Sequence, residues 1–200
     1  MSADRETLAF YAGMAGEYAA KMGASSRRTR DLTAFAAALP SGGRVLDFGC
    51  GGGWASRTLV EEGFAVTALD PVAEMLDMLS DCAGIETIHG DIDALPKTAV
   101  YEGIWAHFSL QHIPREALPN ALARLARALA PGGVIAIGIH EGSEGLRDSL
   151  DRLYNHWTLE ALAGILAPEG VEVVAARRHP DKGFDGRQFN ALHLRAVRQG

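Results

Sequence analysis

Short apolar runs alternate with segments of helical spacing along most of this chain. The spacing predicts helices between the apolar runs, at residues 54–63, 71–82 and 115–130. The runs themselves predict five strands, at residues 44–48, 64–70, 85–91, 101–108 and 134–140. Most of these strands are continuously apolar, which is typical of parallel strands that are covered on both faces. The pattern therefore predicts a doubly wound α/β fold.

The two ends of the chain extend this pattern. Two helices are expected before the first strand, at residues 5–22 and 27–39, and the first places Tyr11 and Tyr18 on one face. Residues 145–167 are expected to be helical, with an interruption near 155–158. Two last strands, at residues 171–178 and 189–197, are separated by a Gly-containing loop and predict a C-terminal antiparallel hairpin. We expect one α/β domain with a mostly parallel, seven-stranded sheet.

Composition narrows the class of protein. The 200 residues are 48% hydrophobic and carry a formal net charge of −6, which does not favour binding to nucleic acid. The one dense basic group, Arg27, Arg28 and Arg30, is expected to be a solvated helix end. Cys50 and Cys82 form no disulfide framework, and no apolar stretch reaches the roughly 18 residues of a membrane span. We expect a soluble, cytoplasmic protein without a signal peptide.

The segment "LDFGCGGGWA", residues 46–55, places four glycines directly after the first strand. Glycine is costly to order, so such a cluster indicates close approach of a ligand to the backbone. The following helix would point its free N–H groups at the same place. Trp54 stands where a dinucleotide fingerprint has its third glycine. The acid before the loop, Asp47, suits a cationic ligand better than a pyrophosphate.

Acidic residues stand at the ends of three successive predicted strands, namely Asp47, Asp70 and Asp91. Each alone is explained by capping of the next helix, and Asp70 before Pro71 is well placed for that. The carboxyl ends of parallel strands share one edge of a sheet, where ligands bind. Three acids at this edge predict a common site, and Asp70 is spaced from the loop as a carboxylate that binds ribose hydroxyls would be.

Five segments together resemble one family, the class I S-adenosylmethionine-dependent methyltransferases. They are "VLDFGCGGG", "ALDPVAEML", "GDIDALP", "YEGIWAHFSLQHIP" and "LARALAPGGVIAIG", and the resemblance covers roughly residues 8–140. It implies a Rossmann-like fold, S-adenosylmethionine as cofactor and methyl transfer as the activity. It also implies three parts of one domain: a helical cover at 1–40, a cofactor-binding core at 41–140, and an acceptor side with closing strands at 141–200.

The resemblance also implies a role for individual residues. The methionine part of the cofactor would be held by Asp47 and the backbone of residues 49–53, which includes Gly49, Cys50, Gly51 and Gly53, and the ribose by Asp70. The adenine would lie near Pro71, Met75, Asp91 and Ile92, and the sulfonium near Ala106 and His107. Tyr11 and Tyr18 match aromatic positions of a helix that covers the cofactor carboxylate.

Methyl transfer from a sulfonium is an in-line displacement, and orientation alone can supply much of its rate. A general base is required only for a protonated acceptor. The candidates are His107, His112 and His140, of which His112 is expected instead to pack and cap locally. Tyr154 could line the acceptor pocket, although an aromatic residue near Trp157 is also explained as core. No ligand spacing for a metal is present.

The favoured function is methyl transfer to a small-molecule acceptor. Two alternatives stay open: a non-catalytic module that binds the same cofactor, and a nicotinamide-dependent oxidoreductase. Trp54 and the long helical segment before the first strand count against the oxidoreductase. The sequence does not identify the acceptor, the acceptor atom or the oligomeric state.

Overall fold

A seven-stranded sheet forms the centre of the fold in the computed structural model, which describes residues 4–25 and 29–200. Its strand order is β3-β2-β1-β4-β5-β9-β8, with β1 to β5 parallel and β9 antiparallel to both β5 and β8. The strands are β1 (Arg44–Phe48), β2 (Ala65–Asp70), β3 (Ile85–His89), β4 (Tyr101–His107), β5 (Leu129–His140), β8 (Val171–Lys182) and β9 (Gln188–Arg198). The predicted fold class and antiparallel closing hairpin are confirmed.

Helices cover both faces of this sheet. They are α1 (Arg5–Ser25), α2 (Arg30–Ala36), α3 (Trp54–Glu61), α4 (Ala73–Leu76), α5 (Leu118–Ala128) and α6 (Leu159–Leu166). Helices α2 and α3 pack with Trp105 of β4 in one apolar cluster, and α5 and α6 pack in a larger cluster on the other face. Residues 27 and 28 of the predicted second helix lie outside the described residues.

The register of the central strands brings the predicted acids to one edge. Asp47 of β1 lies beside Ala68 of β2 and Trp105 of β4. Strands β1, β2 and β4 run in the same direction and end within a few residues of one another, at Phe48, Asp70 and His107. Loops that follow these strands therefore meet at the carboxyl edge of the sheet.

The helix expected at 71–82 is much shorter than predicted. It begins only at Ala73, after an extended Val72, and gives way to a 3₁₀ turn at Asp77–Leu79. The side chain of Asp70 accepts a hydrogen bond from the Val72 N–H at 2.9 Å, which fixes the extended turn through Pro71. Pro71 therefore does not occupy the first helical position.

The prediction of helix over residues 145–167 is wrong for its first half. Two short strands, β6 (Gly145–Arg147) and β7 (Leu153–Asn155), pair antiparallel in a hairpin of their own. Asp148 holds the turn, because its Oδ1 accepts hydrogen bonds from the backbone N–H groups of Leu150 and Arg152. Helical spacing of apolar residues was outweighed here by this side-chain-to-backbone turn.

Among the described residues, no helix combines the length and apolar character that crossing a membrane requires.

Candidate functional site

A cavity of about 290 Å³ lies at the carboxyl edge of β1, β2 and β4, beneath α1. Eleven of the predicted cofactor-binding residues line it, so distant parts of the sequence do converge there. These residues are Tyr11, Tyr18, Gly49, Cys50, Gly51, Asp70, Pro71, Met75, Asp91, Ile92 and His107. Their contacts with a ligand stay a prediction.

Three glycines of the loop, Gly49, Gly52 and Gly53, are required by packing within the protein. Gly49 has a φ of 69°, and a Cβ there would lie 2.3 Å from the Cβ of Ser109. A Cβ at Gly52 would lie 2.6 Å from the Cβ of Ala19, on α1. Gly49 therefore lets the segment after β4 reach the loop, and Gly52 lets α1 lie directly on it.

Gly51 is the glycine of this loop that opens into the cavity. Its φ of 52° requires the left-handed conformation, and no protein atom lies within 4 Å of the position its Cβ would take. Gly53 differs, since a Cβ there would meet Leu79 at 2.3 Å, and it does not line the cavity. Close approach of a ligand is thus an explanation for Gly51 but not for Gly53.

The carboxylate of Asp70 is fixed at the cavity wall by two backbone donors. Its Oδ2 accepts from the Gly51 N–H at 2.8 Å, and its Oδ1 accepts from the Val72 N–H. Each oxygen retains a lone pair for a further donor. Burial raises the pKa of Asp70 to about 6, so the group is still mainly ionised at neutral pH.

Asp47 does not line the cavity. Its side chain is 3% exposed and accepts a hydrogen bond from Ser56 Oγ, in the first turn of α3, at 2.6 Å. Burial, with the nearby charge of Asp70 as a smaller cause, raises its pKa to about 7. Asp47, which was predicted to contact the ligand, therefore links the end of β1 to the first turn of α3. Ala106 also lies outside the lining, within the core beneath the sheet edge.

Asp91 has both of the roles that the sequence allows, since it caps a turn and lines the cavity. Its side chain caps a 3₁₀ turn at Ile92–Ala94 by accepting from the Asp93 N–H at 2.9 Å. It also lines the cavity, beside Ile92.

Helix α1 forms the roof of the cavity. Ala15 and the partly buried Leu8 pack against Val72 and Met75, which hold the helix over the loop that follows β2. The Tyr11 and Tyr18 rings face the cavity together, with centroids 5.0 Å apart. The predicted common face of these two tyrosines is confirmed.

His112 and Tyr11 form a hydrogen-bonded pair in the cavity wall. His112 Nδ1 lies 2.6 Å from the carbonyl oxygen of Leu153, so this nitrogen carries the hydrogen and donates it. Its Nε2 is then a lone-pair acceptor, and Tyr11 Oη donates to it at 3.1 Å. Burial lowers the pKa of His112 to about 4, which keeps the ring neutral. The expectation of local capping by His112 is wrong, since both partners are distant in sequence.

Behind this pair lies a buried ion pair of the β6–β7 hairpin. Arg152 donates to Asp148 Oδ2 through Nε at 3.0 Å and Nη2 at 2.6 Å, and the side chains are only 1% and 3% exposed. Arg152 Nη1 also lies 3.4 Å from Tyr11 Oη. The guanidinium sits near the rings of Phe10 and Tyr154, at 4.9 and 5.2 Å from their centroids. The hairpin therefore supports α1, which covers the cavity, through the contacts of Arg152 with Tyr11 and Phe10.

The two predicted catalytic histidines occupy different places. His107 lines the cavity and stacks on Trp105 with ring centroids 5.0 Å apart, and burial lowers its pKa to about 3. His140 does not line this cavity. It stacks on Phe189 and Tyr154 in a smaller pocket, where burial lowers its pKa to about 3. Tyr154 lies against the edge of the His112 ring, behind the cavity wall.

Sequence reasoning missed part of the lining. The additional residues are Thr7, Leu8, Ala19, Phe48, Trp54, Arg57, Leu69, Val72, Met78, Phe108, Ser109, His112, Ile113 and Ala121. Residues 108–113 follow β4 at the edge where sites form, which is the signal that could have found them. Phe108 has a φ of 56°, an uncommon backbone conformation for a side chain of this size. Within the described part of the chain, no group of three potential ligands could hold a metal ion.

The sheet order, the glycine loop and the cavity at its carboxyl edge define a Rossmann-like methyltransferase fold. The family model of a methyltransferase domain matches residues 18–178. The chain therefore belongs to this methyltransferase family, and the resemblance carried by the five sequence segments is confirmed.

Similar proteins show how this family fold is used. The malonyl-[acyl-carrier protein] O-methyltransferase of Enterobacter lignolyticus is 34% identical over 158 residues, which are 77% of this chain and 59% of that protein. The chain thus spans well under two thirds of the length of that relative.

Two solved structures share the fold at low identity. The 1,6-didemethyltoxoflavin-N1-methyltransferase of Burkholderia thailandensis, with S-adenosylhomocysteine bound, has a TM-score of 0.74 and 21% identity, and the match covers 100% of this chain and 92% of that one. The [4+2]-cyclase SpnF has a TM-score of 0.66 and 19% identity, with 84% and 79% covered. One fold therefore serves more than one kind of reaction.

Proposed function

We propose that this protein transfers the methyl group of S-adenosylmethionine to a protonated nucleophile of a small-molecule acceptor. One observation carries the proposal. Asp70, Gly51, Tyr11 and His112 line a single cavity, and the Nε2 of His112 in its wall is bonded, among the described residues, only to the exchangeable hydroxyl of Tyr11.

The residues at the Gly51–Asp70 wall fit the proposed cofactor. Gly51 leaves open the space a Cβ would fill, and Asp70 offers its remaining lone pairs to hydroxyl donors such as those of a ribose. The side chains of Met75 and Ile92 provide buried apolar surface in the same cavity, as an adenine ring requires.

The methyl group that the cofactor supplies is electrophilic because it is bonded to a sulfonium. The protein must then orient the acceptor and accept its proton. His112 Nε2 is the group that fits this task, since Leu153 fixes the tautomer and the lowered pKa keeps the nitrogen unprotonated. In the proposed complex, the acceptor donates to His112 Nε2 in place of Tyr11 Oη, and the Leu153 carbonyl stabilises the protonated ring.

The proposed acceptor is small and carries an O–H or N–H group. The cavity supports this because α1 covers it and its volume of about 290 Å³ admits only a small reacting group. The two similar methyltransferases act, by their names, on a malonyl group linked to a carrier protein and on 1,6-didemethyltoxoflavin.

The first test separates binding from turnover. Calorimetric titrations with S-adenosylmethionine, S-adenosylhomocysteine and NAD should show binding of the two sulfur compounds and no binding of NAD. Asp70→Ala should abolish this binding, whereas Asp77→Ala, an exposed acid nearby, should not change it. Binding of NAD alone would refute the proposal and favour an oxidoreductase.

Turnover is tested next with a panel of small hydroxy, carboxy and amino acceptors, by following the formation of S-adenosylhomocysteine. Cofactor binding combined with no turnover on any acceptor would favour a non-catalytic module.

A further inference from the structure

A second pocket, of about 240 Å³, lies on the sheet face that carries α2, between that helix and strands β5, β9 and β8. Its lining residues are Arg30, Asp31, Ala34, Trp105, Ala136, Ile137, Gly138, Ala175, Ala176, Arg177, His193, Leu194 and Arg195. Apart from the position of Arg30, nothing in the sequence motifs points to this pocket.

Small residues create the space. Ala136 and Gly138 of β5 and Ala175 of β8 lie along its floor. Ala175 shares a strand face with Arg177, since side chains two residues apart point to the same side. Because Gly138 has no side chain, the His107 ring crosses over β5 and approaches the His193 ring at 5.3 Å between centroids.

The rim carries an excess of positive charge, with three arginines against one aspartate. Arg177 is neutralised, because its guanidinium forms an ion pair with Asp31. Arg195 Nη1 donates to the Ala34 carbonyl at 2.7 Å, and no carboxylate among the described residues pairs with it. The exposed Arg30 guanidinium likewise makes no ion pair or hydrogen bond within the described part of the chain.

A buried polar atom in the lining lacks a partner. The His193 side chain is 9% exposed, and its Nδ1 lies 3.5 Å from Asp31 Oδ2. Its Nε2 is buried with no hydrogen-bond partner among the described residues. Burial keeps the pKa of His193 low, at about 4, so the positive charge of the pocket comes from its arginines.

We propose that this pocket binds a small organic anion, whose carboxylate faces Arg30 and Arg195 and whose apolar body lies on the small-residue floor. The site is separate from the cavity beneath α1, and His107, which lines that cavity, lies against His193 of the pocket. The inference does not depend on the methyltransferase activity.

Titration with benzoate tests this proposal, since benzoate carries a carboxylate on a planar apolar ring. Calorimetry at constant ionic strength should show one molecule bound per chain, with and without saturating S-adenosylhomocysteine. Ala175→Leu, which fills the floor, and Arg30→Gln, which changes an exposed side chain, should each weaken binding about tenfold or more. Arg127→Gln, which removes the same charge at an exposed ion pair on α5, should leave it unchanged.

Three outcomes would overturn the proposal. The first is no binding of benzoate at millimolar concentration. The second is binding that S-adenosylhomocysteine displaces and Ala175→Leu does not affect, which would place benzoate in the cavity beneath α1. The third is equal binding of benzoate and inorganic phosphate to the native protein and to Arg30→Gln, which would show non-specific attraction of anions.

Discussion

Asp148→Asn tests whether the buried ion pair of the hairpin holds the roof of the cavity. The change keeps the shape of the side chain but removes the charge that neutralises Arg152, whose guanidinium is 1% exposed. A buried charge that loses its partner destabilises a protein by about 3–5 kcal/mol. We expect a loss in this range, because the two hydrogen bonds of 3.0 and 2.6 Å join side chains that are almost fully buried.

The second partner provides the decisive comparison. Arg152→Met removes the buried cation, so the double variant Asp148→Asn/Arg152→Met should recover most of the stability lost in Asp148→Asn. Urea unfolding followed by circular dichroism measures the free energy of unfolding of the native protein, of each single variant and of the double variant. Arg147→Gln is the matched control, because it breaks a more exposed pair with Asp4 on the same hairpin and should cost less than about 1 kcal/mol.

The reasoning fails if Asp148→Asn lowers the free energy of unfolding by no more than Arg147→Gln does. It also fails if the double variant loses as much stability as Asp148→Asn and Arg152→Met together. Either result would show that the ion pair is not isolated from solvent as the structure has it. If the reasoning holds, Asp148→Asn should also weaken binding of S-adenosylhomocysteine, since the hairpin contacts α1 through Arg152 and Tyr11.

Three further predictions concern the cavity and the loop. His112→Gln should lower kcat by about 10²–10⁴-fold with little change in cofactor affinity. Since the pKa of His112 is about 4, the pH profile of kcat/KM for the acceptor, measured at saturating cofactor, should contain no inflection between about pH 6 and about pH 8 that His112→Gln removes, and an inflection near pH 6.5 that this variant removes would contradict this. Gly52→Ala should weaken binding of S-adenosylhomocysteine, because its Cβ would displace Ala19 and α1; Gly16→Ala, where the Cβ meets nothing within 4 Å, should instead stabilise α1 by up to about 1 kcal/mol in urea unfolding. The raised pKa of Asp47, about 7, means that the folded state holds this proton more tightly, so its burial opposes folding increasingly as pH rises from about 4 to about 7. Asp47→Asn should therefore gain up to about 4 kcal/mol relative to the native protein across that range, and parallel stability curves would refute this.

The parts of the site that the sequence predicted best are those formed at the ends of adjacent parallel strands. Gly51 lies three residues after the end of β1, and Asp70 ends β2, so strand direction alone brings them to one edge. The hydrogen bond between the Gly51 N–H and Asp70 then follows from parallel pairing of two adjacent strands. Local pattern and sheet topology were sufficient here.

The parts that the sequence did not predict depend on contacts between distant segments. His112 is separated by 101 residues from Tyr11 and by 41 from Leu153, and nothing in "SLQHIP" shows that these partners meet. Asp47 belongs to the acid-first pattern, but whether it faces a ligand or Ser56 depends on the rotation of α3 against β1. Residues 145–155 have helical spacing, and only the turn held by Asp148 selects the hairpin.

The cavity is thus assembled from two halves with different constraints. The lower half, with Gly51 and Asp70, lies within the segment that matches the family, whereas Tyr11 precedes residue 18, where that match begins. Tyr11 is held by Arg152 of a hairpin outside the main sheet, whereas Ala15 of the same helix packs against Val72 and Met75 after β2. The cyclase that shares this fold shows that the reaction changes while the sheet persists. We therefore expect Asp70 and Gly51 variants to alter cofactor affinity, and the Tyr11–His112 pair to decide which acceptor reacts.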